Sequence, residues 1–313
     1  MKIINFSDIK QLNISPNQCY TWVEEMLKEK SKTILPPKTH IAPAEAMFCN
    51  VMPSFLNNNF AGVKVVTRYP NRIPSLDSQI LLMDAKEGTF LALLDGNWIT
   101  AMRTGAVSAH SIMLLAKKDF SVIGMMGLGN VARATLLVLA EKNNNRPLSV
   151  KLLKYKNQEI DFAKRFEKYN IKFSYVDTPE EMVSGSDVVI SAATYLPNDI
   201  CSDECFDEGV LVVPIHTRGF TNCDLFFDKV FADDYGHVCD FKYFNQFKKF
   251  AEVADVVTGK VSGRENDTER ILAYNIGLSI HDIYFASKIY ELVKQDGNIK
   301  EIGMNISTEK FWV

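Results

Sequence analysis

The chain has 313 residues, 47% of them hydrophobic and 23% charged, with a formal net charge of −3. That length suits two domains around a large buried core, and the composition is ordinary for a globular protein. A slightly acidic chain whose basic residues gather only as pairs, Lys117-Lys118 and Lys248-Lys249, offers no footprint for a nucleic acid. No apolar run reaches the ~18 residues of a membrane span. Met1-Lys2-Ile3-Ile4 runs into Asn5, Ser7 and Asp8, too polar for a signal segment, so a soluble, cytoplasmic protein without a membrane partner is expected. The cysteines form no C-x-x-C and the histidines no H-x-x-x-H, which points to reduced thiols and no metal centre.

Residues 1–30 read as a short strand and then a helix that starts at Ser15-Pro16, with Trp22, Met26 and Leu27 on its apolar face. Residues 51–55, 61–67, 78–84 and 90–95 are expected as strands of an antiparallel or mixed sheet. Asp95-Gly96 is expected as the turn of a hairpin. Residues 100–116 read as a helix with small residues along it, bridging this first third to the next domain. Arg103 sits near its start, where the helix dipole disfavours a cation; it either serves a bound anion, such as a carboxylate, or is a surface arginine.

The stretch 120–140 organises the second domain. A buried strand over 121–126 opens into Gly127-Leu128-Gly129-Asn130-Val131-Ala132, a G-x-G-x-x-A turn, and then into an Ala- and Leu-rich helix. Strand, glycine turn and helix in that order form a fingerprint for a dinucleotide pyrophosphate. Gly127 permits the tight turn, Gly129 lets the backbone approach the phosphates, and Ala132 permits close helix–strand packing. The helix N-terminus at Asn130 and Val131 presents unpaired N–H groups to the anion.

Further βα alternation supplies strands at 148–153, 171–175, 187–194, 209–215 and 229–233, with helices at 157–166 and 179–183, in an open parallel sheet. Small residues Ala192, Ala193 and Thr194 end the fourth strand, where a doubly wound sheet places the nicotinamide. The second strand ends on Lys154, with Lys156 close by and no carboxylate before Glu159. That favours a 2′-phosphate and hence NADP(H) within the NAD(P) class, unless Lys154 points to solvent. Residues 271–293 read as one long apolar-faced helix returning to the first domain. The fold class is therefore α/β: a Rossmann-type doubly wound domain over 113–263 and a second α+β domain built from 1–112 and 264–313.

Four local patterns carry a resemblance. Gly62-Val63-Lys64 is followed by Pro70-Asn71 and Ile73-Pro74-Ser75. Leu94-Asp95-Gly96 leads to Thr100-Ala101-Met102-Arg103-Thr104-Gly105-Ala106. The Gly127 turn follows, and Gly277-Leu278-Ser279-Ile280-His281-Asp282 comes near the end. Together they resemble the ornithine cyclodeaminase/mu-crystallin family over almost the full chain.

The resemblance implies that Lys64 and Arg103 bind a substrate carboxylate, two cations that aim the Cα of an amino acid at the nicotinamide. Lys38, in Pro36-Pro37-Lys38-Thr39-His40, stands where the family carries an arginine; it keeps the charge and loses the planar fork. Ser75 stands for the family's threonine, and Thr104 joins the cofactor residues. The family's catalytic carboxylate best matches Asp224 in Asn222-Cys223-Asp224, with the family's glutamate absent. Asp224 would hold the amine and shuttle protons, and Lys64 would modulate proton transfer. A side-chain pocket is expected near Met52, Val66 and His216.

The implied chemistry is hydride exchange between a small amino or imino acid and NAD(P). It ends in cyclodeamination, with ornithine to proline as the lead case, in imine reduction, or in dehydrogenation. A mu-crystallin-like cofactor binder without turnover is the reading from a different class. A homodimer through the first domain's sheet, including residues 80–83, is also implied.

Overall fold

The computed structural model describes residues 1–303 apart from 45, 58, 145, 216–219 and 221–223. The first domain opens with β1 (Lys2–Ile4), α1 (Phe6–Gln11) and α2 (Pro16–Glu29). A reciprocal cap starts α2: Gln18 N donates to Ser15 Oγ at 3.1 Å and Ser15 N donates to Gln18 Oε1 at 2.9 Å, with Pro16 in the first turn. Then come β2 (Thr39–Ile41), β3 (Phe48–Phe55), β4 (Phe60–Arg68), β5 (Leu76–Asp84), β6 (Phe90–Asp95) and α3 (Asn97–Leu115).

The six strands form one mixed sheet in the order β1-β6-β5-β4-β3-β2, parallel at β1/β6 and antiparallel elsewhere. Strand alternation sends Lys64, Val66, Ile80, Leu82, Ala92 and Leu94 to one buried face. Of residues 80–83, then, Ile80 and Leu82 belong to the chain's own core, while Leu81 and Met83 turn to the other face. Register places Lys64 between Met52 and Ile80, Val66 between Asn50 and Ser78, and Arg68 between Phe48 and Leu76.

Asp95-Gly96 closes no hairpin; it carries β6 directly into α3. Gly96 has φ −94°, so no left-handed turn is formed. Glycine is required there because an added Cβ would stand 3.0 Å from the Ser78 carbonyl oxygen. Asp95 Oδ1 accepts from Asn97 N at 2.8 Å and satisfies the first turn of the helix.

The second domain contains β7 (Val122–Met126), α4 (Asn130–Lys142), β8 (Leu148–Leu153), α5 (Gln158–Lys164), β9 (Ile171–Val176), α6 (Pro179–Val183), β10 (Val188–Ser191) and β11 (Leu211–Pro214). It continues through β12 (Lys229–Ala232), β13 (Phe250–Glu252), α7 (Val253–Val257) and β14 (Ile271–Tyr274), after which α8 (Ser279–Val293) returns to the first domain and packs against β3, β4 and β5. Eight strands lie parallel in the order β13-β12-β14-β11-β10-β7-β8-β9. The order reverses at β7, so a crevice opens beyond the ends of β7 and β10, where doubly wound sheets bind ligands.

The segment 271–293 is not one helix. Its first four residues are fully buried as β14, inserted between β11 and β12, and Gly277 at φ +88° then turns the chain into α8. A short run buried on every side carries no periodicity that separates strand from helix. Helix α3 reaches from the first domain onto the second, and there it lies directly against α4: a Cβ on Gly105 would stand 2.5 Å from the Ala134 carbonyl carbon. Among the described residues, no helix is long and apolar enough to cross a membrane.

Candidate active site

A cavity of about 650 Å³ opens between the first sheet and the crevice of the second. Its sheet wall carries Lys38 ahead of β2, His40 on β2, Asn50 on β3, and Lys64, Val66 and Arg68 on β4. Its floor is α3, through Thr100, Arg103 and Thr104. The opposite side is the Gly127–Val131 turn with Ala192, Thr194, Ile276 and Gly277.

At its deepest point two cations share one carboxylate. Lys64, Arg103 and Asp282 are 1%, 4% and 0% exposed. Arg103 Nε donates to Asp282 Oδ1 at 2.8 Å, and Lys64 Nζ lies 2.7 Å from Asp282 Oδ2 at an angle poor for a hydrogen bond. One positive charge is therefore in excess. Arg103 Nη1 is buried and has no acceptor among the described residues. A buried donor left unpaired is costly, so this corner is built to receive an anion.

Burial lowers the Lys64 ammonium to about 7; Arg103 pushes it the same way and Asp282 opposes. Lys38 is also held below the usual lysine range, first by burial, with the Asp233 carboxylate working against the shift and Arg103 with it. Asp233, 1% exposed, fixes the turn beside Arg103: Gly277 N donates to its Oδ2 at 2.7 Å. Burial pushes the Asp233 carboxyl up. Gly277 is favoured there by its φ of +88°, and a Cβ would stand 2.6 Å from Arg103 Nη1 and displace the guanidinium.

The other end fits a dinucleotide. Helix α4 has no side-chain cap, so its first N–H groups lie open to a ligand. A Cβ on Gly129 would meet nothing within 4 Å; it would project into the space a pyrophosphate would fill. Gly127 has φ +76° and backs onto the Ala192–Ala193 peptide, which holds the ends of β7 and β10 together.

The structure therefore brings Lys38, Lys64, Ser75 and Arg103 into one cavity with Thr104, Gly127, Gly129, Asn130, Val131, Ala192 and Thr194. The Thr104 hydroxyl donates to the Thr100 carbonyl of its own helix at 2.6 Å. Ala132 is wholly buried as a packing residue, and Ala193 lies behind Gly127. Lys154 and Lys156 follow β8 outside the cavity. Lys154 Nζ contacts Asp177 at 2.9 and 3.0 Å, and Lys156 Nζ stands 5.0 Å from the Tyr155 ring centre. Lys154 is thus paired with a carboxylate from just beyond β9. The Asp224 side chain and His216 lie outside the described residues.

Sequence reasoning gave no role to Asp282, His40, Asn50 or Arg68. Asp282 was visible only as part of the Gly277 pattern. Asn50 and Arg68 fall on the strand period that brings Met52 and Lys64 to the same face.

The Δ1-pyrroline-2-carboxylate reductase of Bacillus cereus is 26% identical over 95% of this chain and 98% of its own. The solved Δ1-pyrroline-2-carboxylate reductase of Thermococcus litoralis, in complex with NADH and L-proline, is 28% identical. It has a TM-score of 0.86 and covers 96% of this chain and 100% of its own. An archaeal alanine dehydrogenase dimer with bound NAD shares the fold at a TM-score of 0.86 and 24% identity, over 97% of this chain and 99% of its own. With the family pattern matched over residues 2–297, the chain belongs to the ornithine cyclodeaminase/mu-crystallin family.

Proposed function

We propose that this chain is a nicotinamide-dependent oxidoreductase that exchanges a hydride at the Cα of a small amino or imino acid. One observation carries the reading: a single cavity joins the unpartnered Arg103 Nη1 to the uncapped N-terminus of α4. When bound, the dinucleotide supplies one hydride to the imine carbon while the nitrogen takes one proton, giving the amino acid and NAD(P)+, or the reverse for oxidation. Arg103 and Lys64 clamp the α-carboxylate, with Lys38 and Ser75 at the rim. Lys64 changes charge near neutrality and so can move a proton at Nζ. Asp224 is assigned to the substrate amine. The Thermococcus relative, with NADH and L-proline bound, supports the same pairing of ligands.

The test is absorbance at 340 nm with pyrroline-2-carboxylate and NADH or NADPH, run beside ornithine with ammonia detection. Loss of absorbance with the imino acid is expected. Ammonia and proline from ornithine at constant absorbance would assign cyclodeamination instead. Dinucleotide binding without either reaction would leave a binder. The expectation drawn from Lys154 and Lys156 is a lower KM for NADPH; a lower KM for NADH overturns it.

A homodimer belongs to the same proposal. The face of the first sheet turned from the helices carries Val51, Phe55, Val63, Val65, Leu81 and Leu93, with Phe55 45% and Val65 37% exposed. The archaeal alanine dehydrogenase is itself a dimer. Light scattering should give twice the chain mass, and Val65→Asp should halve it; a monomeric unaltered chain would overturn the dimer. A reducing, cytoplasmic setting belongs to the same proposal, on the cysteine spacing of the sequence.

A further inference from the structure

The geometry points to a second anion subsite on the sheet wall, so that the substrate is an imino or amino acid whose side chain also ends in an acid. This rests on the oxidoreductase reading and narrows it to dicarboxylic substrates. Among the described residues lining the cavity, the titratable ones are Lys38, His40, Lys64, Arg68 and Arg103. Every one is basic, and no Asp or Glu is among them. Asp282, beneath the floor, offsets only one of the two deep cations, and with Asp233 behind Lys38, Arg68 is left without a carboxylate of its own among the described residues.

Lys64 and Arg103 are matched to the α-carboxylate, which leaves Lys38, His40 and Arg68 facing whatever the substrate carries beyond its Cα. Arg68 directs one donor, Nη1, to the Ala46 carbonyl at 2.5 Å, and its other N–H groups have no acceptor among the described residues. His40 Nδ1 lies 2.6 Å from Asn50 Oδ1, which ties the two side chains of this wall together. Donors thus outnumber acceptors along this wall as well.

Strand register fixes the spacing. Lys64, Val66 and Arg68 share one face of β4, with Asn50 opposite Val66 and His40 opposite Asn50. Four residues along a strand separate the Lys64 and Arg68 Cα atoms by about 13 Å. Lys64 Nζ is held at Asp282 and Arg68 Nη1 at the Ala46 carbonyl, so the Arg68 side chain must turn inward to close that span to the length of a short dicarboxylate. A terminal ammonium, as in a diamino acid, would meet like charge there. A neutral side chain would leave the arginine fork unfilled, whereas a carboxylate pairs with it bidentately.

The experiment uses the dinucleotide-loaded full chain in two arms. In the first, imines formed from ammonia with oxaloacetate or 2-oxoglutarate are compared at 340 nm with those from pyruvate or 2-oxobutyrate. The diacid imines should show kcat/KM at least about 10-fold higher, and Arg68→Gln should cut that ratio about 10- to 100-fold. In the second, calorimetry compares glutarate with butyrate on the NADH-bound protein, where glutarate should bind more tightly and lose its advantage in Arg68→Gln.

Turnover without diacid preference, with equal binding of the two acids, overturns the subsite and leaves the oxidoreductase reading standing. Glutarate preference without turnover of any imine keeps the subsite and sinks that reading. An Arg68→Gln protein that loses NADH affinity instead would assign the wall to the cofactor's phosphates and overturn the inference. Arg68→Lys, which keeps the charge, should retain part of the preference if the chain folds normally.

Discussion

Arg103→Ala should lower kcat/KM for every imino acid by roughly 10²- to 10³-fold, because it removes the charged fork that fixes the reacting carbon. The dissociation constant for NADH should stay nearly constant, since the nucleotide turn makes its own contacts at the far end of the cavity. The same change removes a like charge from beside Lys64 and leaves Asp282 with one partner, so the Lys64 ammonium should rise above about 7. If the ammonium donates the proton in imine reduction, the rate falls as pH rises through that value, and the falling limb moves to higher pH in the variant. Fluorescence titration and a pH–rate profile check both parts. Loss of NADH binding together with turnover would remove Arg103 from the carboxylate role.

Asp282→Asn attacks the same cluster from below and should show in stability first. It leaves Lys64 and Arg103 buried with no counter-charge among their described contacts. Breaking a buried pair by removing one partner costs about 3–5 kcal/mol, measurable by urea denaturation. The carboxylate also favours the charged form of Lys64, so its loss should move the Lys64 value below about 7 and the falling limb to lower pH. The stability change has its own pH dependence. Between the lowered folded value and the ordinary 10.5 of the unfolded chain, the unfolded state binds one more proton at Lys64. Stability must therefore rise with pH across that window, and alkaline buffer should return part of what the variant loses. A variant of unchanged stability and unchanged pH profile would mean that Asp282 holds neither cation.

The nucleotide half of the site was legible because its signal is local. A buried strand, G-x-G-x-x-A and a helix occupy consecutive residues, and the fold adds nothing to make Gly127 and Gly129 meaningful. The pairing of Lys64 with Arg103, read here as an acid clamp, was legible through the family likeness around those two residues. Asp282 was not, because it reaches Arg103 across 179 residues and gains its role only when α8 docks beneath the first sheet. The basic wall was hidden for a related reason: His40, Asn50 and Arg68 become neighbours only through antiparallel register. Asp95-Gly96 and residues 271–274 misled in another way. Each has a local pattern with two structural solutions, and tertiary packing against Ser78 or between β11 and β12 selects the one that pattern reading ranks second.

Helix α3 leaves one lasting consequence. Arg103 stands two residues before Gly105, where the backbone of α3 touches that of α4, and α4 begins at the nucleotide turn. Under the proposed roles, the arginine that grips the acid and the turn that holds the hydride carrier are mounted on one pair of closely packed helices. A substitution that pushes those two helices apart at Gly105 should therefore misalign both ends of the cavity at once, without touching either ligand.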